Sequence, residues 1–155
     1  MNEQNDLSYM AGLYMALADK TRLRLLNLMR DQEVCVGYFT EVLGDSQPKI
    51  SRHLAYLRNA GIVDTRRDGK WMHYRIKWPE DRALASVIDA ALTSISNQEE
   101  CRNDTMHLLQ TYGRAGRSSY RPEHELDIYA NADMNGSDDL ESVDALHNEL
   151  EEFLL

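Results

Sequence analysis

The chain has 155 residues, 43% of them hydrophobic, and a formal net charge of −9. That is length enough for one ordinary domain with something appended, and no stretch nears the roughly 18–20 apolar residues of a membrane-spanning helix. The polar start MNEQNDLSY is not a secretory signal, and two cysteines, Cys35 and Cys101, make no disulfide framework, so a cytoplasmic chain with reduced thiols is expected.

In chain order, residues 7–17 (LSYMAGLYMAL) predict a helix that is apolar nearly all round. Such a helix needs cover on more than one side: either ordinary core packing, or a subunit interface. Asp19 stands where an N-cap is wanted for a second helix over 20–30, with Leu23, Leu25, Leu26, Leu28 and Met29 on its buried side. Asp31-Gln32 ends it. A short third helix over 36–43 carries Val36, Phe39, Val42 and Leu43 at helical spacing, and Gly44 stops it. Gly44-Asp45-Ser46 then reads as the turn of a helix-turn-helix.

The fourth helix starts with Ser46 as its cap and Pro48 inside the first turn, where a missing N–H costs nothing. Ile50, Leu54 and Leu57 form one apolar stripe, while Lys49, Arg52, His53 and Tyr56 lie opposite, all of them groups that reach phosphates or base edges. Gly61 supplies the left-handed stop. Two short runs, 62–67 and 70–77, flank Asp68-Gly69, a dipeptide suited to a two-residue hairpin turn. A basic helix followed at once by a basic hairpin is the pattern of a recognition helix and its wing.

Trp78-Pro79 breaks the strand, and residues 80–112 predict one long helix carrying Leu84, Val87, Ile88, Ala91, Leu92, Ile95, Met106 and Leu109. Its apolar face is longer than a small domain can cover, so pairing with the first helix across a two-fold axis is expected. A dimer also suits DNA, because paired recognition helices meet half-sites about one helical turn apart. From residue 113 the composition turns linker-like and acidic. Within it, 138–155 predicts a last amphipathic helix, with Leu140, Val143, Leu146, Leu150, Phe153 and Leu154 on one face and acids on the other. That helix either folds back on the dimer, docks a protein partner or competes with DNA for the basic patch. The expectation is thus a mainly α fold with a small β-hairpin: four helices, two strands and a long helix in a winged helix-turn-helix. Residues 1–112 form the DNA-binding and dimerisation domain, and 113–155 a partly disordered acidic tail.

The negative net charge hides an uneven distribution. Between residues 46 and 77 there are eight Lys or Arg against two Asp, a local charge of +6; from Tyr112 onward three Arg face eleven acids, a local charge of −8. A basic patch with an acidic appendage is compatible with a nucleic-acid partner.

The strings LADKTRLRLLNLM, EVCVGYFTEVLGDSQPKISRHLAYLRNAGIV and RRDGKWMHYRI resemble the ArsR family of bacterial metalloregulatory repressors, and its arsenic-responsive branch in particular. The resemblance covers about residues 7–95. It implies a homodimer that represses an arsenic-resistance operon and leaves DNA when a trivalent arsenical binds, with no cofactor needed for DNA binding itself. Carried onto this chain, it implies that Ser46, Gln47, Lys49, Ser51, Arg52 and His53 face the major groove, and that Arg66, Arg67, Lys70 and His73 come from the wing. It also implies sulfur chemistry, since trivalent arsenic is soft and prefers thiolates. Arsenic-responsive members often place two cysteines one residue apart at the start of the third helix. Here that string is Cys35-Val36-Gly37, so the second thiol is missing. The implied ligands are Cys35 and Cys101, two thiolates for arsenite or for a methylarsenite whose third valence is held by carbon. For Cys101, flanked by Glu100 and Arg102, burial is not expected.

Zinc-responsive relatives use an Asp-x-His pair on the last helix; here Asp89 is followed two positions later by Ala91. A redox or sulfide sensor bridging Cys35 and Cys101 is the rival reading, although redox members carry their first cysteine inside the second helix, where this chain reads Leu-Asn-Leu. A DNA binder regulated only through its tail is another. An enzyme is excluded for want of a Gly-rich phosphate loop, a nucleophile elbow or clustered His and acids at metal spacing.

Overall fold

The computed structural model describes residues 6–114; the acidic tail and its expected terminal helix lie outside them. The order is α1 (Leu7–Leu17), α2 (Lys20–Leu28), β1 (Val34–Cys35), α3 (Val36–Leu43), α4 (Gln47–Asn59), β2 (Val63–Asp68), β3 (Trp71–Ile76), α5 (Arg82–Ile95) and α6 (Glu99–Arg114). Among these, no helix is long and apolar enough to cross a membrane. The residues up to Leu109 form one compact unit.

Caps explain where the helices begin. Asp19 is the N-cap of α2, its Oδ1 accepting from the Arg22 backbone N–H at 2.9 Å. Asp81 does the same for α5 through Ala83 and Leu84. Gly44, at φ 69°, ends α3 in the left-handed conformation that other residues adopt at a cost. Leu13 of α1, Leu25 and Leu26 of α2, Phe39 of α3, Ile50, Leu54 and Leu57 of α4, and Ile88 and Leu92 of α5 are fully buried and form one core. Each such side chain contributes about 1.5–3 kcal/mol relative to exposure.

The expected element order needs two corrections. The two-residue strand β1 joins the hairpin, giving an antiparallel sheet in the order β1-β3-β2. Two residues carry no alternating pattern, so only the partner strand defines β1. The long helix over 80–112 is in fact two. At the break, Ser96 Oγ donates to Thr93 O at 2.9 Å and Gln98 N–H donates to Ile95 O at 2.9 Å. These i→i−3 bonds tighten the last turn and end α5 without any Gly or Pro. Past the break the buried stripe shifts: Cys101, Asp104 and Leu108 turn inward, while Met106 and Leu109 are 56% and 54% exposed.

On α1, Leu13, Ala16 and Leu17 are buried, whereas Leu7, Tyr14 and Met15 are exposed in the single chain.

Candidate nucleic-acid interface

Helix α4 sits on the core through Ile50, Leu54 and Leu57, and its outer side is polar. Ser46 occupies the N-cap position but its side chain makes no capping bond, so the expected Ser cap is a matter of position only. Pro48 lies in the first turn, as its lack of an N–H favours. Asp45 receives Lys49 Nζ at 2.8 Å, an i,i+4 pair that holds the lysine along the start of the helix.

The anticipated DNA-facing residues separate into two groups. Ser46, Gln47 and Arg52 are exposed and Lys49 half-exposed, along the first two turns of α4. Ser51, by contrast, is buried on the core side. His53 is turned toward the α1–α2 corner, its Nδ1 3.5 Å from Asp19 Oδ1. Burial pushes the His53 pKa below the usual histidine value, more than the Asp19 carboxylate raises it. Asp19 itself is held low: burial works against its charge, but the Arg22 N–H and guanidinium outweigh that.

Arg22 is the positioning residue that sequence reasoning overlooked. Its Nε and Nη2 donate to Ala16 O and Met15 O, each at 2.8 Å, capping the C-terminal carbonyls of α1. The same guanidinium lies 4.1 Å from the Tyr56 ring centroid, a cation–π contact that fixes the outer face of α4 against the α1–α2 corner. Its signal was a basic residue three positions past an N-cap, which says nothing about a ring in another helix.

The wing is a two-residue hairpin, but its turn is one position later than expected. Asp68 pairs with Trp71, leaving Gly69-Lys70 as the loop. Gly69 has φ 60° and Lys70 does not have positive φ, the type II′ pattern with Gly first. The tip is basic: Arg67 Nε donates to Gly69 O at 2.9 Å, and Lys70 Nζ lies 5.3 Å from the exposed Trp71 ring. Arg66 behaves differently, bonded to Glu33 through Nε and Nη2. His73, on the central strand, is half-buried beside Cys35 and Arg66 in register, and burial lowers its pKa.

Both cysteines are free thiols. Cys35 ends β1 and is the N-cap residue of α3, 7% exposed and near enough to the Tyr38 and Tyr74 hydroxyls to oppose their ionisation, after burial the next adverse influence on Tyr38. Cys101 corrects the expectation of an exposed thiol, since it is only 5% exposed, facing α2. Asn27 reaches its backbone carbonyl at 3.4 Å, and Arg24 forms a two-pronged pair with Asp104, both bonds 2.7 Å. Burial, then the Asp104 charge, push the Cys101 thiol above its ordinary pKa. Among the described residues no group of three or more His, Cys, Asp or Glu could hold a metal ion. Asp89 is engaged by Arg30 at 2.8 Å.

Residues 19–65 match the family model described as bacterial regulatory protein, arsR family. The chain is 44% identical over 104 residues to the arsenic resistance transcriptional regulator ArsR1 of Pseudomonas putida, covering 63% of this chain and 76% of that one. It is 38% identical over 110 residues to ArsR2 of the same organism, covering 69% and 92%. Among solved structures, reduced HlyU from Vibrio cholerae superposes with a TM-score of 0.51 at 30% identity, over 59% of this chain and 92% of that chain.

Proposed function

The chain belongs to the ArsR family of bacterial regulatory proteins and is a winged helix-turn-helix DNA-binding transcriptional regulator, not an enzyme; from that premise we propose that it represses an arsenic-resistance operon. It binds operator DNA as a homodimer. It leaves the operator when a trivalent arsenical, arsenite or methylarsenite, takes cysteine thiolates.

The observation that carries the DNA half is the row of exposed Ser46, Gln47 and Arg52 and half-exposed Lys49 on a helix buried along its other side, with Arg67 and Lys70 at the wing tip. Helix residues there read base edges, and the wing residues meet phosphates. Two copies cover the exposed apolar residues Leu7, Tyr14 and Met15 of α1 and Met106 and Leu109 of α6. For the inducer half, the relatives named for arsenic resistance support an arsenical. The thiolates are those of Cys35 and Cys101. Soft trivalent arsenic exchanges its hydroxyls for thiolates and has no need of carboxylates.

A second reading, release by thiol oxidation, rests on the two free buried thiols and on the likeness to a regulator solved in a reduced form. Fluorescence anisotropy on labelled DNA from upstream of the chain's own gene separates the two. Arsenite or methylarsenite in reducing buffer releases the DNA on the first reading. Release by peroxide or polysulfide alone selects the second.

A further inference from the structure

Arg66 lies in a basic strand, yet its charge is spent inside the wing. Its Nε is 3.1 Å from both Glu33 carboxylate oxygens and its Nη2 is 2.9 Å from Oε2. Asp68 stands a further 3.7 Å from Nη1. The Glu33 side chain is 9% exposed, so this is a carboxylate held away from water and not a surface pair. The register explains the meeting. Cys35 and Arg66 both pair with His73 from opposite sides of the central strand, and cross-strand partners share a face of the sheet. Glu33, two residues before Cys35, falls on the same face. Arg67, the next residue along β2, alternates to the other side and is exposed, and Lys70 projects from the tip. A phosphate would have to take Arg66 from a buried carboxylate that already holds it at two nitrogens, whereas Arg67 and Lys70 make no ion pair among the described residues.

We propose that Glu33 withholds Arg66 from DNA: it keeps that guanidinium paired inside the wing, so that the wing meets phosphates through Arg67 and Lys70. This rests on the DNA-binding reading above. Each phosphate neutralised by a protein cation contributes about 0.9 to the slope of log affinity against log salt, and that slope reads the cations one by one.

The test is the salt slope of the full chain on its promoter duplex. Because the homodimer carries two wings, Arg67→Gln and Lys70→Gln each lower the slope by about 1.8, Arg66→Gln leaves it at the wild-type value, and Glu33→Gln raises it by about 1.8 as Arg66 is released. A drop for Arg66→Gln as large as that for Arg67→Gln, with no rise for Glu33→Gln, overturns the proposal. Because Arg66→Gln leaves a carboxylate buried without its cation, the double variant Glu33→Gln/Arg66→Gln is the companion. It unfolds at a higher temperature than Arg66→Gln and keeps the wild-type slope; a lowered slope in it also overturns the proposal. Failure of the DNA-binding reading looks different: the wild-type chain then shows no salt-dependent binding to any duplex, and the proposal falls with it.

Discussion

The outer face of α4 with the wing tip and the seam between α2 and α6 are built from the same kinds of residue and treat them in opposite ways. At the first, Arg52, Arg67 and Lys70 are exposed and make no ion pair among the described residues. At the second, Arg24 meets Asp104 through two bonds of 2.7 Å, and the Asp104 side chain is 5% exposed. The first arrangement leaves positive charge for a polyanion. The second uses it to hold α6, which carries the buried Cys101, against α2. A count of basic residues along a segment therefore overstates what DNA can meet, since Arg66 with Glu33 and Arg75 with Asp64 are already engaged within the chain.

Mutation of the two regions should give opposite profiles. Asp104→Ala leaves a mostly buried guanidinium without its carboxylate and should cost about 3 kcal/mol of stability, the lower end for breaking a buried pair. Urea unfolding measures it, with operator affinity of the folded fraction unchanged. Arg52→Ala should do the reverse, weakening operator binding by about 2 kcal/mol if it reads a base while the unfolding midpoint stays put. A stability loss in Arg52→Ala would mean that the outer face is structural after all.

Smaller effects sharpen the same contrast. Gly37 is exposed, and a Cβ added there meets nothing within 4 Å. Gly37→Cys should be tolerated, gaining up to about 0.5 kcal/mol from helix propensity, and should make release by arsenite more potent by supplying a thiol two residues after Cys35. Equal arsenite potency in wild type and variant would place the binding thiolates elsewhere. For the histidines the sign is fixed by burial. His53 and His73 have lowered pKa values, so the unfolded chain binds protons more readily than the folded one. Stability should be undiminished above the ordinary histidine range and fall as pH drops through it, which denaturation at pH 7.5 and pH 5.5 compares. Least of all, Lys20→Ala removes an exposed pair with Glu100 and should leave the unfolding midpoint unmoved.

Local signals placed much of this fold. The Asp19 cap, the Gly44 stop, the Ile50, Leu54 and Leu57 stripe and the glycine of the hairpin turn each act within a few residues, so the chain shows them directly. What the sequence concealed depends on distant partners. Glu33 and Arg66 are 33 positions apart, and Arg24 and Asp104 are 80. His53 likewise is turned toward Asp19 at the α1–α2 corner, while Ser51 is buried beside Ile50 and Leu54 on its own helix. The break between α5 and α6 was invisible because serine back-bonding, not Gly or Pro, ends the helix. Cys101 looked exposed because its immediate neighbours are charged, while its burial follows from Asp104 and Leu108 at i+3 and i+7.

The central claim is that reading DNA and sensing the inducer are carried by separate parts of the chain. Anisotropy of wild type and Cys101→Ser on the promoter duplex, in reducing buffer with and without methylarsenite, tests it most directly. The account predicts equal affinity without the arsenical and release of wild type only. Loss of DNA binding in Cys101→Ser, or release of both proteins at the same concentration, would contradict it.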